Sequence, residues 1–207
     1  MVRDDERKAR SAEAPIVGGL PDVPGIVAAM RLSPGLAVHL RGLADELLVN
    51  DMPGVTLARA DRELLATAVS AANDCFYCMD SHGAFAGELL RRASVDAPGV
   101  LLAVDGVKSG GSGGLGPKMV ALLALVRGVQ RNPREVSRQD VTRALDAGAS
   151  DADTQLAVLI ASAFCMYNRM VDGLRAKTPA STDAYSARAA EIADHGYSDA
   201  RVKSIPG

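Results

Sequence analysis

The sequence predicts an all-α protein, and three observations carry that expectation. Ala and Leu supply most of the apolar content, while aromatic residues make up only 3% and Trp is absent. That balance favours helices over strands. Apolar residues recur at helical intervals almost without a break after residue 33, and no stretch reads as a convincing strand.

The elements follow in chain order. Residues 1–14 are charged and poor in apolar side chains, as expected of a disordered arm, and a Pro/Gly-rich lead follows. Ser33-Pro34 has the form of a helix start, with Leu36, Leu40, Leu43 and Leu47 at helical spacing behind it. Asn50 to Gly54 breaks that pattern, and Thr56 is the expected cap of the next helix, which carries Leu57, Leu64, Leu65, Ala68 and Val69. Asn73-Asp74 is a second break, with a new helix from Cys75 to about Arg92. Ala97-Pro98 opens a short helical segment, and Gly106 to Gly116 reads as a flexible Gly/Ser-rich loop without a phosphate-binding signature. The helical pattern resumes after Pro117. Ser137/Asp140 and Ser150/Asp153 both resemble capping boxes, the second opening a long apolar helix to about Leu174. A last amphipathic helix spans about Thr182 to His195 and stops at Gly196. The resulting organisation is an arm (1–19), a first helical unit (20–105), a loop (106–116) and a second helical unit with the C-terminal helix (117–207). A gapless alignment of Asp61–Gly83 on Asp151–Gly173 relates the two units. It places Glu63 on Asp153, Cys75 on Cys165, Cys78 on Asn168 and His82 on Asp172.

Composition excludes several function classes. The 207 residues are 48% apolar and 23% charged with a net charge of -2, so nothing points to a nucleic-acid partner. No apolar run is long enough for a membrane span, and the charged N-terminus lacks the apolar stretch of a signal peptide. The expected location is cytoplasmic. Three cysteines in such a compartment are buried small hydrophobes or a reactive site rather than a disulfide framework.

One cluster of reactive side chains stands out: Glu63, then Cys75, Cys78 and His82 in the order E-x11-C-x-x-C-x3-H. On a helix the last three share one face. Both cysteines fall in the first turn, where free backbone N–H groups and the helix dipole favour a thiolate. Side chains at i and i+3 have Cβ atoms about 5–6 Å apart, against about 3.5–4.5 Å in a disulfide. A small distortion at a helix end closes that gap. A thiol peroxidase needs an attacking thiolate, a proton source and a resolving thiol. Cys78 and Cys75 can be the thiols, His82 can take or hold the proton, and Glu63 can fold back to orient it. Tyr77, between the cysteines, can donate a hydrogen bond or simply pack. The alternatives are inert packing, or a zinc site built from the same Cys, Cys, His and Glu set. Structural zinc usually brings a second ligand pair, which this chain lacks. No metal and no cofactor is called for. Cys165, in an apolar run, reads as a core residue, His39 as solvent-facing, His195 as a helix-end cation, and Arg169 as a weaker candidate for a site role.

These residues are similar to a known pattern. Glu63 to His82 resembles the alkylhydroperoxidase D core of the carboxymuconolactone decarboxylase-like superfamily, and most closely its uncharacterised peroxidase-related branch. Leu36 to Leu48, the PKMVALLALV segment and the FCMYNRMVDGL segment extend the likeness over about residues 20–195. The resemblance implies an all-α fold of repeated helical units, assembled as dimers, trimers or hexamers. It implies that Cys78 is the peroxidatic cysteine, Cys75 the partner thiol and proton donor, and Glu63 and His82 the proton relay. A lipoyl or thioredoxin-like dithiol would regenerate the pair, and the oxidant would be an organic hydroperoxide or hydrogen peroxide. One position departs from the pattern: Tyr77 stands where those proteins carry a His before the second Cys. The decarboxylase members lack the cysteine pair, which argues against lactone decarboxylation. The competing expectation is a non-catalytic redox-sensing or oligomeric binding protein on the same fold.

Overall fold

The computed structural model describes residues 5, 6, 9 and 13–198. Residues 1–4, 7, 8 and 10–12 of the expected N-terminal arm, and residues 199–207, lie outside the described residues. The chain is all-α, and among the described residues there is no strand. The helices are α1 (Ile26–Leu32), α2 (Pro34–Leu48), α3 (Arg59–Ala72), α4 (Phe76–Arg92), α5 (Ala97–Lys108), α6 (Pro117–Arg131), α7 (Arg138–Asp146), α8 (Asp151–Gly173) and α9 (Ser186–His195). Short 3-10 turns at Pro133–Glu135 and Thr182–Tyr185 precede α7 and α9. No helix of the described residues is long and apolar enough to cross a membrane.

Helix α3 is the centre of the molecule. It packs against α4, α8, α6 and α5, and eleven of its fourteen residues are buried. A helix buried on nearly every side cannot keep a polar face toward water. Its polar residues must therefore find partners inside the protein. Arg62 donates to the backbone oxygens of Leu57 and Asn50 (3.2 and 2.7 Å). Thr67 donates to the Glu63 carbonyl (2.8 Å). The apolar side chains Leu64, Leu65, Ala68 and Val69 join Leu122, Leu123 and Val126 of α6 and Leu156, Ile160 and Phe164 of α8 in the main core.

Two helix starts, α7 and α8, are set by the caps expected above, whereas Ser33 stands at the N-cap of α2 without a side-chain cap hydrogen bond. Ser137 and Ser150 each accept from the backbone N–H of the Asp three residues on, and that Asp accepts in return from the serine N–H. Other boundaries differ. Thr56 does not cap α3; Ala58 is the N-cap, and its N–H donates to Asp61 (3.1 Å). Thr56 is drawn away by Asp153, to which it donates from its N–H and its hydroxyl, each at 2.7 Å. The expected loop at 106–116 begins later, because α5 continues through Lys108. The last helix starts at Ser186 instead of Thr182, after a 3-10 turn. Cys165 is half-buried at the edge of the core rather than inside it. His39 faces solvent.

The two aligned segments place buried carboxylates at equivalent positions, Glu63 and Asp153. Their paths differ, since Asp61–Gly83 bends at Asn73 to Cys75 and Asp151–Gly173 is one helix. Asp153 ties the 54–57 loop to the start of α8. Burial would push its carboxyl up, but hydrogen bonds from Thr56, Lys118 and Ser150 together hold it well below the usual carboxylate range. Removing a buried charge partner of this kind strands several donors at once. Asp153→Ala should lower unfolding stability by about 3 kcal/mol, read as a shifted urea midpoint at constant slope.

Candidate active site

The sequence brings Cys75 into place through a helix ending. After α3, the Asp74 N–H bonds the Ala71 carbonyl (3.2 Å) and the Cys75 N–H bonds the Ser70 carbonyl (3.0 Å). This is the Schellman pattern, with Asp74 in the left-handed conformation at φ 55°. Asp74 fills a position where Gly is usual. Side chains pin the corner as well. Asn168 of α8 accepts from Asn73 (2.8 Å) and donates to Ser70 (3.1 Å), and Gln130 of α6 donates to Asn73 (2.8 Å). The chain then turns directly into α4 with Cys75 as N-cap residue. Cys75 thus stands just outside the helix, one position earlier than its sequence pattern suggests, and Cys78 occupies the first turn.

The two sulfurs share a hydrogen bond. Both are buried, Cys75 completely and Cys78 with 2% of its surface exposed. They lie in a small apolar cluster apart from the main core, with Tyr77, Val171, Ala176 and Tyr185, covered by Val23 and Ala28 of the N-terminal lead. The Cys75 thiol is pushed well above its ordinary range. The hydrogen bond to Cys78 is the largest cause, followed by burial and the negative charges of Cys78 and Asp172, while the Cys78 peptide N–H pulls the other way. The expected acidification of both cysteines by the helix end is therefore not met at Cys75. Burial and the neighbouring sulfur outweigh the dipole there.

Tyr77 packs rather than relays. Its ring meets Tyr185 edge-on at 5.7 Å. On the other side it lies against the backbone of Gly25, where a Cβ would fall 2.2 Å from the ring. Gly25 has φ 56° and donates its N–H to the Lys177 carbonyl (2.9 Å). Burial, with the adjacent sulfurs, pushes the Tyr77 phenol up, so it remains neutral.

Glu63 and His82 meet across α3 and α4. The Nδ1 of His82 lies 2.7 Å from Oε2 of Glu63. Glu63 is wholly buried, so each of its oxygens needs a partner. The second, Oε1, accepts from the hydroxyl of Tyr197 at 2.6 Å. That hydroxyl is also 3.3 Å from His82 Nδ1. The imidazole is walled by Phe164 (4.6 Å), Phe85 (5.3 Å) and Tyr197 (6.0 Å, stacked). With Nδ1 committed to a carboxylate, Nε2 is the nitrogen left to accept a proton. His82 follows Cys78 by one turn of α4.

The remaining candidates lie elsewhere. Arg169 donates to the Cys165 carbonyl (2.8 Å) on the outer side of α8, and His195 ends α9 in solvent. Among the described residues no three His, Cys, Asp or Glu side chains converge in a way that could hold a metal ion. Two features escape a reading of the sequence. Tyr197 lies past the helix-stopping Gly196, with no spacing that links it to Glu63. Lys108 of α5 crosses over Gly83 to pair with the buried Asp80 (2.9 Å), a contact that depends on how α5 lies on α4.

Residues 43–89, which contain all four site residues, match the model of the carboxymuconolactone decarboxylase family. In fold, the chain is similar to an uncharacterised peroxidase-related protein with an alkylhydroperoxidase AhpD core from Ralstonia eutropha JMP134. The two are 25% identical with a TM-score of 0.62, over 74% of this chain and 76% of that one. The matched segment and the fold together support a likeness to the alkylhydroperoxidase D-like, carboxymuconolactone decarboxylase-like superfamily. A second solved structure similar in fold is an uncharacterised peroxidase-related protein from Silicibacter sp. TM1040. It is 20% identical with a TM-score of 0.62, over 80% of this chain and 90% of that one. No curated protein matches the chain by sequence.

The buried thiol of this alkylhydroperoxidase D-like site makes stability depend on alkaline pH. A thiol whose folded pKa is raised contributes stability in full below its unfolded value, ordinarily 9.0. That contribution is lost as pH rises toward the folded value. Tyr197, also pushed well above its ordinary 10.0 by burial and by Glu63, adds a second loss above that pH. Thermal melts should show Tm falling from about pH 9 upward. Cys75→Ser should flatten the first part of that fall and leave the part above pH 10 in place.

Proposed function

We propose that this protein is a cysteine-dependent hydroperoxide reductase. The observation that carries the reading is the juxtaposition on α4 of a hydrogen-bonded Cys75–Cys78 pair with a His82 whose Nδ1 is held by Glu63. Cys78 is the peroxidatic residue. Its thiolate attacks one oxygen of the hydroperoxide; an S–O bond forms and the O–O bond breaks. The departing alkoxide or hydroxide takes a proton from His82, which had received the thiol proton, so an alcohol or water leaves and Cys78 becomes a sulfenic acid. Cys75, which holds its proton until then, attacks the Cys78 sulfur. The S–S bond forms, the S–O bond breaks, and the hydroxide leaves as water with the Cys75 proton. A dithiol donor, lipoyl or thioredoxin-like, returns two electrons and two protons to the disulfide.

Glu63 has the role of the third group in a nucleophile–base–acid series: it fixes the tautomer of His82 and leaves Nε2 as the nitrogen free to take a proton. Tyr77 supports the site by shaping its wall. The peroxidase-related names of the solved neighbours agree with this class of chemistry. Exposed apolar residues on α2 (Leu36, Val38, Leu43) and α8 (Leu159, Met166) favour assembly as a homo-oligomer. A reducing compartment such as the cytoplasm suits a site that must be returned to the dithiol form.

Burial favours one competing reading. With neither sulfur more than 2% exposed, the pair could act as a stoichiometric redox sensor that changes a binding surface without turnover. Multiple-turnover assays separate the two. With an organic hydroperoxide and excess dithiol, wild-type protein should consume many equivalents of oxidant. Cys78→Ser should lose at least a thousandfold in rate (on the order of the loss when a covalent nucleophile is removed), and His82→Gln about a hundredfold. Consumption that stops at one equivalent in the wild type would favour the sensor.

A further inference from the structure

The C-terminal turn is built into the relay. After α9, Gly196 takes φ 70°, and an added Cβ there would fall 2.7 Å from an Asp45 carboxylate oxygen. The next two backbone N–H groups both donate to that carboxylate: Tyr197 to Oδ1 (2.6 Å) and Ser198 to Oδ2 (2.9 Å). Asp45 belongs to α2, so a side chain about 150 positions away in sequence fixes this turn. Successive N–H groups gripping one carboxylate form an anion nest, a rigid arrangement for an otherwise exposed segment.

We propose that Tyr197 is a positioning residue of the relay, aiming the Glu63 carboxylate at His82 Nδ1, and that Asp45 seats it by holding the turn that carries it. The inference rests on the relay assigned to Glu63 and His82 above. Three contacts support it. The phenol hydroxyl is 2.6 Å from Glu63 Oε1, the oxygen that His82 does not use. Its ring stacks on the imidazole and meets Phe85 edge-on at 6.2 Å. Burial and the Glu63 charge push the phenol up, so it stays an O–H donor throughout the neutral range.

The charged groups around Tyr197 leave that role to it. Arg59 on α3 is spent on the carbonyls of Ile192 and Ala193 (2.9 Å each). Arg188 on α9 is paired with Glu191 (2.8 Å). Within the site, a carboxylate that loses one of two donors binds a proton more readily, alone or through its partner imidazole. Removing the phenol hydroxyl should therefore loosen the hold of Glu63 on the imidazole that serves Cys78.

The test uses the pH profile of Cys78 alkylation by iodoacetamide, followed by mass spectrometry on the full-length protein. This readout needs no peroxide. Tyr197→Phe keeps the ring and removes the hydroxyl. Its acid limb should move up by about one unit, a tenfold slower reaction on that limb, with the alkaline plateau within about twofold of wild type. Asp45→Asn should move the limb the same way by a smaller amount. A Tyr197→Phe limb that superimposes on the wild type overturns the proposal; should that variant not fold, an unmoved Asp45→Asn limb does the same. Absence of peroxide turnover in wild-type protein would sink the enzymatic reading and leave this comparison standing.

Discussion

The arrangement depends on one buried carboxylate. Glu63 sits in the middle of the most enclosed helix of the molecule, surrounded by Leu64, Leu65 and the core they build. An ionised group there is tolerable only if hydrogen bonds replace its lost water. His82 and Tyr197 supply one each, at 2.7 and 2.6 Å. That requirement fixes the imidazole of α4 against α3, and it draws the segment after α9 back over the site. The packing of three separated stretches of chain thus follows from the solvation of a single side chain. Its counterpart Asp153 answers the same constraint differently, with Thr56, Ser150 and Lys118, and holds structure rather than a relay.

The thiol pair is governed by opposing forces. The first turn of α4 favours charge on sulfur; burial and the neighbouring sulfur oppose it, and at Cys75 they win. The outcome suits a division of labour. In the proposed cycle, a Cys75 that keeps its proton until it attacks brings the proton needed when water leaves. The cover over the pair is thin: Val23, Ala28, Ala176 and Tyr185, drawn from connecting segments at either end of the chain. In the proposed cycle an oxidant reaching Cys78 would displace part of that cover, which would admit small hydroperoxides more readily than large ones.

Much of this was legible in the sequence, for physical reasons that can be named. Helical spacing of Leu and Ala, Ser-x-x-Asp boxes at Ser137 and Ser150, and the break at Asn73-Asp74 are local signals, and they placed most helices within a few residues. The Cys75, Cys78 and His82 cluster is also local, held within about two turns of chain. The approach of Glu63 to His82 follows from a spacing fixed by two packed helices and a tight corner. What was missed depends on tertiary contact. Thr56 looks like a helix cap until Asp153 takes both of its donors. Tyr197 carries no local mark at all, since its partner lies in α3 and its anchor in α2. The raised thiol at Cys75 departs from the helix-end expectation because the neighbouring sulfur opposes it and because the cover from Val23, Ala28, Val171, Ala176 and Tyr185 is tertiary.

The most direct test of the central claim is the mass of the Cys75-to-His82 peptide after reduced protein meets one equivalent of an organic hydroperoxide. The account predicts a Cys75–Cys78 disulfide, a loss of two hydrogen atoms, formed in wild type and absent in Cys78→Ser, with the hydroperoxide converted to its alcohol. Both cysteines still free to alkylate, with the hydroperoxide intact, would contradict it.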